Sequence, residues 1–169
     1  MTDPGYACHC CGQRHAGLPF SYGVDAPDHW RDELAGDERS VLDGEVCIIQ
    51  AEHYFVRARL VLPVLDAERD FDWTVWVSLS RSNFERTTEL WTTPGREQEP
   101  PYFGWLSTEL PVYPQSTLNL RTHVRTQPVG SRPCVELEPT DHPLAVEQRT
   151  GITLARVQDI AERLRHPDA

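Results

Sequence analysis

The chain has 169 residues, 39% of them hydrophobic and 25% charged, with 26 acids against 16 bases and a formal net charge of −10. That length suits one domain with a real core, and the ordinary composition excludes wholesale disorder. The acidic balance argues against nonspecific nucleic-acid or anionic-membrane binding, which both rest on basic surface. All 16 bases are Arg, which excludes a Lys Schiff base or a Walker-type Lys. No apolar run approaches the roughly 18 residues of a spanning helix. The opening residues lack the basic start and apolar stretch of a signal peptide, so a bacterial-type cytoplasmic protein is expected.

In chain order, residues 1–7 read as a disordered lead. Residues 8–19 follow as a Cys/His knuckle, Cys8-His9-Cys10-Cys11-Gly12-Gln13-Arg14-His15, with a turn-like exit through Leu18-Pro19. Phe20 to Trp30 mixes aromatics with Gly, Asp and Pro and reads as irregular chain laid on a surface. The acidic run Arg31 to Arg39 reads as a short exposed helix or loop.

A sheet region is expected over residues 45–138. Val46 to Gln50 is a short apolar run, and Ala51-Glu52-His53 suits a hairpin turn. Tyr54, Val56, Ala58, Leu60 and Leu62 then alternate onto one face. Phe71, Trp73, Val75, Val77 and Leu79 repeat the pattern, with Trp76 opposite, so something should cover that side too. Ser80 can N-cap a helix over residues 81–91, with Leu79 and Phe84 forming a hydrophobic staple.

Tyr102 to Leu106 reads as a strand or a buried turn, in which Gly104 marks a close backbone approach. Two more strands follow, one alternating from Leu118 to Arg125 and one around Val135 and Leu137. If they pair, their Arg and Glu rows face each other as cross-strand ion pairs. The chain closes with helices over residues 142–165. His142 and Pro143 start the first, Gly151 ends it, and Thr153 starts the second. The expected fold class is α+β: a mixed, mostly antiparallel sheet with flanking helices and an N-terminal Cys/His knuckle, in a single domain.

Five cysteines, three of them crowded together, suit intracellular metal or redox roles better than a secreted disulfide framework. Cys8-x-x-Cys11 before Gly12 lets two thiolates converge on one tetrahedral ion from a tight turn. His15 is the candidate third ligand, and Cys10 a spare thiol or a substitute. The fourth donor must come from the sheet, where Cys47 or His53 lies near one hairpin. The expected ligand set is Cys8, Cys11, His15 and Cys47, around a structural zinc. Reduced free thiols and a redox CxxC are the competing readings, the latter disfavoured because such motifs open a helix behind a strand.

Catalytic signatures are missing from the sequence. There is no HExxH, no GxSxG, no GxGxxG and no P-loop. His29, His53, His123, His142 and His166 show no ligand spacing and read as surface or capping residues. The tryptophans read as core. Arg57, Arg59, Arg121 and Arg125 form a row that is either an anion site or, preferably, a set of solvated ion pairs.

Several blocks coincide: Cys8-x-x-Cys11-Gly12 with His15 and Leu18-Pro19, Trp73-Thr74-Val75-Trp76-Val77, Phe103-Gly104-Trp105-Leu106, and Asp141-His142-Pro143-Leu144 running into Gly151-Ile152-Thr153. Together they resemble a bacterial domain-of-unknown-function family, number 2199, from about Cys8 to Leu164. The resemblance implies a single small bacterial domain and carries over no activity.

The expected function is a zinc-stabilised, noncatalytic module that binds another protein through an acidic, aromatic-bearing surface. The alternatives are a thiol- or zinc-dependent enzyme using the Cys/His cluster, and a sensor of small anionic ligands built on the arginine row.

Overall fold

The computed structural model describes residues 5–168. Its centre is one long hairpin. β1 (Tyr6–Ala7), β2 (Arg14–His15), β3 (Ser21–Gly23), β4 (Val41–Leu42) and β5 (Val46–Ile49) lead into β6 (His53–Leu62) and β7 (Phe71–Leu79). β6 and β7 pair antiparallel from Tyr54 opposite Leu79 to Leu62 opposite Phe71. After α1 (Arg81–Glu89) come β8 (Tyr102–Leu106), β9 (Arg121–Arg125), β10 (Cys134–Leu137), α2 (Pro143–Thr150) and α3 (Leu154–Arg165).

β7, β8, β9 and β10 run on as an antiparallel meander. β10 then returns to β6 in parallel, with Cys134 opposite Arg59. Because β6 bonds both β7 and β10, five strands close on themselves as a barrel. The two long strands divide their remaining edges. The first half of β6 pairs with β5 and its later part with β10. β7 holds β3 in parallel at Asp72–Thr74 and β8 at Val77–Leu79.

The period-two side chains fill the barrel, as the alternation requires. Ala58, Leu60, Leu62, Phe71, Val75, Val77 and Leu106 have no exposed surface, and Val157 and Ile160 of α3 close one side of the same core. The opposite face of β6 and β7 is also covered. Cys47, Ile49, Phe55 and Trp76 form a second cluster under Trp30, Leu34 and Leu42, and the Trp76 indole donates to the Val24 carbonyl at 3.0 Å. At Gly104 a Cβ would meet the Ser78 carbonyl oxygen at 2.5 Å and Val77 Cγ1 at 2.6 Å, so only glycine lets β8 approach β7 there.

Local signals place most ends well. Ser80 Oγ accepts from the Asn83 N–H at 3.2 Å, and α1 stops at Glu89, two residues short of the expected end. His142 Nδ1 caps α2 by accepting from the Leu144 N–H. Gln50 and Ala51 both adopt positive φ in the β5–β6 turn, the geometry that suits a tight hairpin's twist.

Three expectations need correction. The first four residues of the expected disordered lead lie outside the described residues, but Tyr6–Ala7 is a strand. Within the stretch read as irregular, Ser21–Gly23 is a strand on β7, stabilised there by backbone pairing despite its Gly. β9 begins at Arg121, not Leu118, because Asn119 turns through φ 65° while its N–H donates to the Leu106 carbonyl.

Candidate metal centre

The N-terminal hairpin is built around its turn. β1 and β2 pair Tyr6 with His15 and Ala7 with Arg14. Between them the Cys8 N–H donates to the Gln13 carbonyl, and the Gly12 N–H donates to the Cys8 carbonyl, both at 2.9 Å. Gly12 sits at φ 71°, a left-handed position that glycine occupies at little cost. This turn aims the backbone N–H groups of Cys10 and Cys11 at the Cys8 sulfur. Burial pushes the Cys8 thiol up, but those two N–H donors and the Cys11 side chain outweigh it, and the thiol lies below its ordinary value.

The hairpin rests on α3. Tyr6, Cys8 and Ala161 form a small apolar cluster with Leu18 packed against it. Beside it runs a polar stripe one helical turn apart: Gln158, Glu162 and His166. Gln158 Nε2 donates to the Ala7 carbonyl at 2.8 Å and to Glu162 Oε1 at 2.9 Å. Glu162, only 6% exposed, accepts from the His9 N–H at 2.8 Å and pairs with His9 Nδ1 at 3.0 Å. Burial alone would raise the Glu162 carboxyl, but the Gln158 and His9 donors prevail and hold it below its ordinary value. The helix thus grips the hairpin on both sides of the first cysteine.

At the end of that stripe the ligand-type atoms meet. One atom each of Cys8, Cys11, His15 and His166 lies within 4.8 Å of all the others. Cys11 Sγ is 3.3 Å from His15 Nε2, and the rings of His15 and His166 are 6.0 Å apart. Burial, with the charges of Arg165 and His166, lowers the His15 pKa, which favours the neutral imidazole a metal requires. His166 Nε2 is buried with no hydrogen-bond partner, an orphaned polar atom of the kind a bound ion would satisfy. Two thiols and two imidazoles within this spacing can hold a metal ion.

The structure therefore brings together three of the four residues selected from sequence, sets the fourth in a separate cluster, and places His166 beside the three. Cys47 does not join them. It has no exposed surface in the cluster with Ile49, Phe55 and Trp76, and burial, then the Asp43 charge, pushes its thiol up to about 12. β5 packs on the covered face of the β6–β7 hairpin, whereas the knuckle sits on α3, so proximity to a turn was a poor guide. His53, the other sheet candidate, is exposed at the start of β6. His166 was read as a capping residue, and it is one: its N–H donates to the Glu162 carbonyl at the end of α3. Its ring also joins the cluster, which no local spacing reveals. The polar i, i+4, i+8 stripe on an otherwise amphipathic helix was the available signal.

The other candidates dissolve into the fold. Each member of the arginine row meets a carboxylate: Arg59 with Asp72 at 2.7 Å, Arg125 with Glu136 at 2.8 Å, and Arg57 with Asp25 and Arg121 with Glu138, both at 3.7 Å. The β9–β10 pairs are the cross-strand contacts expected from sequence. Trp73, Trp76 and Tyr102 are buried, while Trp105 stays 42% exposed in a T-shaped pair with Phe103, under the Arg121 guanidinium.

Fold and cluster together define a closed-barrel α+β domain carrying a Cys/His group able to hold a metal ion. A family model described as an uncharacterized protein conserved in bacteria, DUF2199, matches residues 7–152, and the chain belongs to that family. The match includes Cys8, Cys11 and His15 and ends before His166. No curated protein and no solved structure matches the chain. No helix among the described residues is long and apolar enough to cross a membrane.

Proposed function

We propose that this chain is a noncatalytic protein-interaction domain whose first hairpin is clasped to its last helix by a structural zinc ion on Cys8, Cys11, His15 and His166. The convergence of those four donors carries the proposal. Thiolate with imidazole is a donor set that zinc favours, and four protein ligands leave no open position for substrate or water, which separates structural from catalytic sites. Five free cysteines suit a reducing compartment, the cytoplasm. The outward Phe103–Trp105 pair on an acidic protein of charge −10 supports a basic protein partner.

Elemental mass spectrometry of the freshly purified protein tests the clasp. About one zinc per chain is expected, lost in a Cys8→Ser, Cys11→Ser double variant and in His166→Ala. Full zinc content in His166→Ala, or no metal in the parent protein, would overturn it. A photo-crosslinker at Phe103 should capture one discrete partner, and Trp105→Ser should abolish that capture.

A further inference from the structure

A second feature lies away from the knuckle, a cavity at one mouth of the barrel. It has a volume of about 530 Å³, within the range of about 300–1,000 Å³ typical of small-molecule sites, which barrel mouths commonly host. Val56, Tyr102 and Val124, from β6, β8 and β9, give it an apolar floor, and Leu90 and Trp91 after α1 form a wall. Trp91 is 40% exposed, a large aromatic left open beside this space.

The charge in the lining is unbalanced. Arg57, Arg96 and Arg132 line the cavity against a single acid, Glu45. Arg132 spends its charge on Glu45, its Nε and Nη2 donating to that carboxylate at 2.9–3.1 Å. The only carboxylate within 4.0 Å of Arg57 among the described residues is the fully exposed Asp25 at 3.7 Å, where solvent screens the pair. Arg57 Nη1 donates to the Gly44 carbonyl at 3.4 Å, and its Nε is buried without a hydrogen-bond partner.

Arg96 is the sharper case, being 9% exposed. Its guanidinium donates to the carbonyls of Trp91, Gln127, Pro128 and Ser131 at 2.7–3.2 Å, tying together both lips of the mouth. None of those partners carries charge, and no carboxylate lies within 4.0 Å of Arg96 among the described residues. One of its five N–H groups, on Nη1, is left over. A buried cation is normally paired. Here, in a protein of net charge −10, the pairing charge is missing beside an apolar cavity.

We propose that the barrel mouth is a binding site for a small organic anion: a carboxylate on an aromatic or branched apolar body. The body fills the space over Val56, Tyr102 and Val124 against Trp91, and the carboxylate supplies the charge that Arg96 and Arg57 lack. The site is independent of the metal cluster and shares only Arg57 with the arginine row, whose other three guanidinia each sit within 3.7 Å of a carboxylate.

Matched probes test it on the intact chain: naphthalene-2-carboxylate and the neutral naphthalene-2-carboxamide, titrated while amide shifts are followed by NMR. The carboxylate should bind saturably, moving Thr126, Val129 and Gly130, and the amide should bind roughly tenfold or more weakly, as expected for losing a charged hydrogen bond. Arg96→Met should erase that preference. Since Arg96 also ties loops together, Val129→Glu serves as the second variant. Val129 is 46% exposed at the rim, so its replacement leaves the fold intact and should weaken the carboxylate but not the amide. Equal affinity for both probes, no saturation, or shifts centred on Trp105 would overturn the proposal.

Discussion

The barrel and the N-terminal hairpin are held by opposite means. The barrel buries whole aromatic and aliphatic side chains on both faces of its long hairpin, with Trp76, Phe71 and Leu60 having no exposed surface. The hairpin offers two strands of two residues each and an apolar contact of Tyr6 and Cys8 on Ala161. A two-stranded ribbon of that size has no independent stability in water. It persists by borrowing a surface from α3 and by filling the junction with polar donors. Apolar area accounts for one region, and convergent polar chemistry for the other.

Three experiments would break or sharpen that contrast. The largest effect is expected from Trp76→Ala, which empties the covered face of the hairpin and should cost about 3–5 kcal/mol in denaturant unfolding. Glu162→Ala should cost about 1–3 kcal/mol by leaving the His9 and Gln158 donors unsatisfied. Its signature is hydrogen exchange that rises over the hairpin while barrel amides stay protected. If the whole chain loses protection together, the two regions are one cooperative unit and the contrast fails.

The smallest effect separates the cysteines. With the Cys47 thiol pushed up to about 12, its contribution to stability is full below the unfolded thiol value of about 8.5 and declines as pH rises from there towards 12. Alkylation of the folded protein at pH 8 should therefore modify exposed Cys10 before Cys47, and Cys47 only on unfolding. Early modification of Cys47 would show that the covered face opens.

Much of the barrel was legible because alternation states which side chains share a face. Tyr54 to Leu62 and Phe71 to Leu79 carry it so cleanly that Trp76 announced a second covering layer. Closure was not legible, since alternation is the same in an open sheet and a barrel, and the seam rests on Cys134 opposite Arg59. β3 was hidden because parallel pairing with β7 recruits Ser21–Gly23 without any periodic signal. At the cluster, Cys8, Cys11 and His15 were visible within eight residues of sequence. His166 lies at the far end of the chain and reaches them only through the packing of Ala161 and the grip of Glu162 on His9. Cys47 failed for the complementary reason: its strand spacing pointed into the apolar layer beneath Trp30.

The parallel seam also sets an order of events during synthesis. The later part of β6 has no edge partner until β10 emerges, because Arg59 waits for Cys134, about 75 residues downstream. At roughly 5–20 residues per second, a bare strand edge flanked by apolar side chains stands open for about 4–15 seconds on each ribosome. An unpaired edge is a template for neighbouring chains. Arg59, exposed on the outward face of that edge, places charge where a second nascent chain would otherwise dock.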